Sequence, residues 1–277
     1  MSSAESVYIH GTDPGEQARL AKLNDLLNAA CLRELAPEPG NRVLDVGSGL
    51  GQFSRAIARA VGPTGKVIGI ERDPAQLGRA REFATAAGEG ALVDFRAGDA
   101  TALPLRDGEL GTFDLVHTRF VLEHVRDPLA VVRQMARAVR PGGRVALADD
   151  DHEILRLYPE LPGFDAIWRA YYETYRAIGN DPLIGRRLPQ LLHEAGLLPH
   201  RITWVFFGAC AGEPDFPAFL ENLVGVVESA VPAMTSHSGM SASEVARMMS
   251  AFRDWGRRPD AAIWYGMSWS EGRKPAE

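Results

Sequence analysis

The sequence predicts an α/β fold, a mostly parallel sheet covered by helices on both faces. Three observations predict it. Strand-like and helix-like segments alternate from residue 43 to 148, a glycine-rich turn (VLDVGSGLG, 43–51) joins the first strand to the first helix, and two more strand candidates follow long helical stretches near the C-terminus. Alternation of this kind buries both faces of a parallel sheet under crossover helices.

The first 35 residues read as helical. Val43–Val46 is a short apolar run, and Phe53–Val61 then carries helical spacing; Lys66–Ile70 is β-branched, and Pro74–Ala87 is helical again. Strand candidates follow at Val93–Arg96, Phe113–His117 and Arg144–Ala148, with an amphipathic helix at Pro128–Val139 that Arg140-Pro-Gly-Gly should stop. Beyond Asp149 the rhythm changes. Aromatic-rich helical segments fill 151–196, a strand candidate runs over Arg201–Phe207, helical sequence returns over about 214–256, and Ala261–Ser268 reads as a last strand. Neither repeat nor linker interrupts the chain, so residues 1–277 read as one domain: an N-terminal helical cap (1–35), a core (36–150), a helical insertion (151–198) and C-terminal strands with their own helical insertion (199–277).

Composition narrows the function classes. With 30 basic and 36 acidic residues and a net charge of −6, the chain lacks the general basic footprint of a nucleic-acid binder. Its two cysteines, Cys31 and Cys210, fit no metal-binding spacing and read as buried thiols. The N-terminus shows no basic segment followed by an apolar run, and about 18 consecutive apolar residues occur nowhere, so a soluble cytoplasmic protein without a membrane span is expected. The stretch 214–256, with Met248, Met249 and Phe252, is either a homodimer face or core.

The turn Gly47-Ser48-Gly49-Leu50-Gly51 carries the chemistry. Glycines where a strand meets a helix let a ligand approach the main chain and its free N–H groups. The GxGxG spacing, followed by Gln52 and Phe53, lacks the sixth-position glycine of a pyrophosphate-binding turn. About 20 residues on, KVIGIE places Glu71 at a strand end, where a carboxylate can accept from two ribose hydroxyls. The third strand leads into Gly98-Asp99-Ala100, where an acid beside a small residue can receive an adenine amino group.

Together with Asp45, FDLVHTRFVLEHV and RPGG, these motifs resemble the class I S-adenosylmethionine-dependent methyltransferases, in their small-molecule branch of ubiquinone/menaquinone-type and natural-product enzymes. The resemblance covers about residues 35–150. It implies a Rossmann-like seven-stranded sheet with an antiparallel last strand. It also implies S-adenosylmethionine as cofactor and S-adenosylhomocysteine as product. Asp45 and the turn of Gly47, Ser48, Gly49 and Gly51 would hold the methionine part, and Glu71 with Arg72 the ribose. Asp99 and Ala100 would meet the adenine, and the strand end from His117 through Thr118 to Arg119 would pass the amino acid moiety. Tyr8, in YIHG, and Arg19 resemble the segment that closes over the cofactor.

Methyl transfer asks for alignment and, for oxygen or nitrogen acceptors, a base. His152 follows the fifth strand in Asp149-Asp150-Asp151-His152, at the edge where ligands of open α/β sheets bind. His152, Asp150 and His117 are the catalytic candidates, while His124 is expected to start a helix and to pack it. The acid run could also suit a hard metal, but neighbours on extended chain point in alternate directions, and no metal is expected. Trp168, Tyr172 and Tyr175, near one helical face with Tyr171, and the nearby Arg187, are candidate contacts for a small, aromatic or partly apolar acceptor. Two rivals remain at this stage: a non-catalytic S-adenosylmethionine binder lacking an acceptor pocket, and an NAD(P)-dependent oxidoreductase, against which the GxGxG spacing counts.

Overall fold

The computed structural model describes residues 14–276, with side chains from residue 22 onward. The expected sheet forms. Its first half alternates as β1 (Arg42–Val46), α2 (Gln52–Val61), β2 (Lys66–Glu71), α3 (Pro74–Ala86), β3 (Val93–Ala97), β4 (Phe113–Arg119), α4 (Pro128–Ala138) and β5 (Val139–Asp149), preceded by α1 (Pro14–Leu35). Strands β7 (Leu198–Phe206) and β10 (Gly266–Arg273) complete the sheet in the order β3-β2-β1-β4-β5-β10-β7. The first five strands pair in parallel; β10, the last in sequence, runs antiparallel to β5 and to β7.

Alternation along the buried strands divides the core between the two faces. Leu44, Val46, Ile68, Val116 and Leu147 pack with Val131, Met135 and Leu191 on one side. Val43, Val67, Leu115 and Ala148 join Leu27, Phe53, Ile57 and Leu77 on the other. Apart from Ala148, each such side chain contributes roughly 1.5–3 kcal/mol by leaving water. Short-range signals set the helix starts: Asp73 caps α3 by accepting from Ala75 and Gln76 N–H at 2.8 and 2.9 Å, and Asp127 caps α4 through Ala130 N–H.

The second half covers one end of this sheet. It comprises β6 (Arg156–Tyr158), α5 (Phe164–Ala177), α6 (Leu188–Glu194), β8 (Ala209–Cys210), α7 (Phe216–Ser229), α8 (Val231–His237), α9 (Ala242–Trp255) and β9 (Ala262–Trp264). Strands β6, β9 and β8 form a small second sheet that the sequence does not announce, since the three are only two or three residues long.

Several expectations need correction. The single strand expected at Ala261–Ser268 breaks at Tyr265, because Ile263 pairs with Leu157 and Ala209 in the small sheet while Met267 pairs with Val205 in the large one. Arg140-Pro-Gly-Gly does not separate α4 from its strand. Val139 already pairs with Phe113, and the motif is an irregularity inside β5, with Gly142 at φ 73°. His124 starts no helix; it ends a 3-10 turn, Leu122–His124. Cys31 is buried as expected, but Cys210 is exposed, and both are free thiols. Met249 and Phe252 are fully buried in the core, so α9 does not offer them as a dimer face. The exposed apolar face lies instead on the edge strand β7, where Ile202, Trp204 and Phe206 stand beside Trp264. Among the described residues no helix is long and apolar enough to cross a membrane.

Candidate active site

The C-terminal ends of β1, β2, β4 and β5 open onto one cavity of about 290 Å³, whose far wall comes from α5, α7 and Tyr265. Its first lobe is the glycine turn. Gly47 and Ser48 N–H both donate to Ile70 O, at 2.8 and 2.9 Å, which folds the turn back over β2. Gly47 sits at φ +78°, and a Cβ there would lie 2.3 Å from Val121 Cγ2, so both conformation and space demand glycine.

Around this turn the lobe is polar. The Glu71 carboxylate accepts from Gly49 N–H at 2.9 Å and Asp73 N–H at 2.8 Å, and burial pushes its pKa up despite those donors. Asp99 accepts from Thr101 N–H and Oγ1; burial opposes ionisation, but these donors and the nearby Arg72 hold its carboxyl below the usual range. Arg72, Ala100, Gly49 and Ser48 also line the lobe. Asp45 lies beneath it, each oxygen taken once, by Ser54 Oγ at 2.6 Å and by His117 Nδ1 at 2.9 Å. Burial pushes the His117 pKa down against the pull of Asp45, so the ring is neutral, wedged between Phe53 and Trp269. Arg119 stacks over Phe53 at 4.6 Å and donates through Nη2 to Asn24 and Asn28 of α1.

This lobe fits S-adenosylmethionine by the atoms it leaves over. Ser48 Oγ, His117 Nε2 and Arg119 Nη1 are buried in its walls without a partner among the described residues, and the glycine cradle leaves a main chain that a ligand can approach. Thr118 is the exception among the expected contacts. Alternation on β4 turns it away from the cavity, and its Oγ1 donates to Val46 O. Tyr8 lies outside the described residues, as does the side chain of Arg19.

The second lobe holds a buried polar cluster inside aromatic walls. His152 Nε2 stands 3.1 Å from Glu123 Oε2, and its Nδ1 is 3.2 Å from the Tyr265 hydroxyl. With Glu123 accepting from Nε2–H, Nδ1 is left as an acceptor facing the Tyr265 hydroxyl, which the Asp150 carboxyl also engages. Burial lowers the His152 pKa, although Asp150 and Asp151 oppose this, so the imidazole is neutral and basic in form. Asp150 is 8% exposed and lines the lobe; burial and Glu123 push its pKa well up, and its Oδ1 has no partner among the described residues. Gly185 positions it by donating to Asp150 O at 2.9 Å, an approach that a Cβ at 185, 2.8 Å from the same oxygen, would prevent.

The other acids of the run face elsewhere. Asp149 Oδ2 accepts from Val121 and Leu122 N–H, bracing the turn that carries Glu123, while Asp151 and Glu153 pair with Arg186. Glu123, Asp150 and His152 nevertheless offer ligand atoms within 4.8 Å of one another, a closer group than the acid run suggests.

Trp168 and Tyr175 line the lobe as expected, and Trp168 Nε1 donates to His152 O at 2.6 Å. Tyr172 does not line it. The helical phase of α5 puts Tyr171 at the cavity, and Tyr172 is buried behind His152. Arg187 is also elsewhere, paired with Asp181 at 2.6 Å. Glu123, Tyr265 and the α7 residues Asn222, Leu223 and Val226 are among the lining residues that sequence reasoning missed, and His124 lines the lobe where only helix packing was expected. The motif LEHV draws attention to its histidine, whereas the carboxylate beside it reaches His152. Nothing local marks Tyr265, which sits in the break between two strands.

Comparison with known proteins agrees with this geometry. Residues 44–147 match the family model described as a methyltransferase domain. The 2-phytyl-1,4-naphtoquinone methyltransferase of Synechococcus elongatus is 35% identical over 46% of this chain and 53% of its own length. The demethylmenaquinone methyltransferase of Lactococcus lactis is 31% identical over 62% of this chain and 63% of its own. The chain thus spans between half and two thirds of these curated relatives. A SAM-dependent methyltransferase structure from Aquifex aeolicus, 21% identical, superposes with a TM-score of 0.54 over 70% of this chain and 94% of that one, a likeness of fold.

Proposed function

We infer, for a chain whose residues 44–147 match a methyltransferase-domain model, an enzyme that moves the methyl group of S-adenosylmethionine to a small, partly apolar organic acceptor. The observation that carries this reading is one cavity with two chemically distinct lobes, a polar glycine cradle and a buried base cluster under aromatic rings. A non-catalytic binder has no use for the second lobe. A nicotinamide enzyme would want a third glycine beyond Gly51, where Gln52 and Phe53 stand.

The bound cofactor supplies an electrophilic methyl on a sulfonium. Everything else falls to the chain. Glu71 receives the ribose hydroxyls, Asp99 the adenine amino group, and Arg119 Nη1 the methionine carboxylate, with Asp45 fixing His117 in the floor. The aromatic walls exclude water and orient the acceptor, and its proton leaves through the Tyr265 hydroxyl to His152 Nδ1, where Glu123 steadies the imidazolium.

Calorimetric titration with S-adenosylmethionine, S-adenosylhomocysteine and NADH tests the reading: micromolar affinity for the first two alone is expected, and binding of NADH in their place would sink it. Glu71→Ala should weaken the cofactor by about 1–3 kcal/mol, the scale of buried polar groups left unpaired. An unchanged affinity in the folded variant removes the ribose assignment.

We take the chain as one domain in the cytoplasm, without a nucleic-acid partner given its net charge of −6. For assembly we propose a homodimer through the apolar face of β7, supported by Ile202 and Trp204, which are 72% and 66% exposed. Light scattering should give twice the 30.1 kDa chain mass, and Trp204→Glu should return it to the monomer. A monomeric wild type rejects the proposal.

A further inference from the structure

We propose that Asp150 works as a neutral carboxylic acid, which receives the acceptor's hydroxyl on Oδ1 and hands its own proton to Tyr265, so that the enzyme O-methylates a flat phenolic acceptor. This rests on the methyl-transfer reading and sets one more group ahead of the Tyr265 hydroxyl. The first observation is a count of hydrogens. The Tyr265 hydroxyl carries one, and it meets two groups, His152 Nδ1 at 3.2 Å and the Asp150 carboxyl. With Nε2–H given to Glu123, Nδ1 offers only a lone pair, so the tyrosine hydrogen goes to it. The tyrosine oxygen then accepts from Asp150, and a carboxyl donates only when it is protonated. The surroundings agree. Glu123, Asp149, His152 and Tyr265 face Asp150, and no lysine or arginine among the described residues lines this lobe. Burial and Glu123 push the carboxyl's pKa well up, against a smaller pull from His152 and Tyr265.

The second observation is the atom left over. Asp150 is 8% exposed and lines the cavity, and its Oδ1 has no partner among the described residues. With the acid's hydrogen on the other oxygen, Oδ1 is a carbonyl oxygen that calls for a donor. A hydroxyl supplies one, and it is also the nucleophile that must lose a proton as it attacks. A neutral amine attacks before it loses one, an ammonium would meet an uncharged acid, and a carbon nucleophile leaves Oδ1 empty. The rings of Trp168, Tyr171 and Tyr175 suit a flat acceptor.

The chemistry balances. The acceptor oxygen forms the O–C bond to the methyl carbon as the C–S bond breaks, its electron pair going to sulfur. The hydroxyl proton moves to Asp150 Oδ1, the proton on Oδ2 to the Tyr265 oxygen, and the tyrosine proton to His152 Nδ1. Asp150 and Tyr265 are neutral before and after. The products are a methyl ether, a neutral thioether and an imidazolium beside Glu123, which gives its proton to solvent.

The first test needs no ligand. The infrared difference spectrum of the full chain at neutral pH, wild type minus Asp150→Asn, should show the C=O stretch of a protonated carboxyl that shifts in deuterium oxide; carboxylate bands alone overturn the proposal. The second is calorimetric titration of the chain saturated with S-adenosylhomocysteine. The wild type should bind 4-methylphenol about 10-fold more tightly than toluene, and more tightly than 4-methylbenzylamine. Asp150→Asn, whose amide donates to Tyr265 and accepts on Oδ1 as the neutral acid does, should keep that preference, and Asp150→Ala should lose it. A wild type without the preference, or an Asp150→Asn variant that binds S-adenosylhomocysteine but has lost it, overturns the proposal. So does one-to-one binding of manganese chloride that Asp150→Asn abolishes, since a metal would hold a carboxylate. If S-adenosylhomocysteine itself fails to bind the wild type, the methyltransferase reading fails, and the infrared band still decides the state of Asp150.

Discussion

Gly47→Ala is expected to raise the dissociation constant for S-adenosylmethionine by about 10² and to lower the melting temperature by several degrees. Two costs combine. A φ of +78° strains any residue with a Cβ, by about 1–2 kcal/mol, and the new methyl would stand 2.3 Å from Val121 Cγ2. Val121 is β-branched and held by the Asp149 carboxylate through its own N–H, so it has little freedom to turn aside. The double variant Gly47→Ala/Val121→Ala separates the two costs. It should recover the steric part of both losses and leave the backbone part. A single variant that binds normally would remove the cradle from the argument.

The second large effect belongs to His152. His152→Ala should slow turnover by about 10² or more with any acceptor the enzyme methylates, while cofactor affinity stays nearly intact. Its pKa direction adds a sign. Because burial holds the imidazole below its ordinary 6.5, the base stays neutral as pH falls through 6.5, and the acid limb of kcat/KM should lie below that value. Stability follows the same sense: below 6.5 the unfolded chain binds a proton that the folded one refuses, so this group favours folding less as pH drops. Glu123→Gln tests the arrangement separately. It should keep the fold, reduce the rate and shift the limb further down, since the imidazolium loses its carboxylate. A near-normal rate in His152→Ala would reduce the histidine to a packing residue between Glu123 and Tyr265.

The cradle was legible because its determinants are local. Glycine spacing, an acid at a strand end and capped helices such as Asp73-Pro74 are each decided within a few residues, and the structure puts Glu71, Asp99 and Arg119 around one lobe. The acceptor lobe was legible only in part. His152 and Asp150 were visible through the strand they follow, but their partners come from 29 residues upstream and 113 downstream, distances over which pattern carries no register. Tyr172 and Tyr171 differ by one helical step, and sequence periodicity does not fix the rotation of α5 to that resolution. Arg187 was a candidate acceptor contact because nothing in the sequence marks its pairing with Asp181, six residues back.

The turn at 121–124 belongs to both lobes. Its Val121 presses on Gly47 in the cofactor cradle, its Glu123 holds His152 in the acceptor lobe, and one carboxylate, Asp149 Oδ2, fixes it by two main-chain N–H groups at 3.2 and 2.8 Å. A ligand that shifts Val121 therefore moves the segment that carries Glu123. The two binding events share a free energy of interaction, and thermodynamic linkage makes it reciprocal: whatever factor the cofactor imposes on acceptor affinity, the acceptor imposes on the cofactor's.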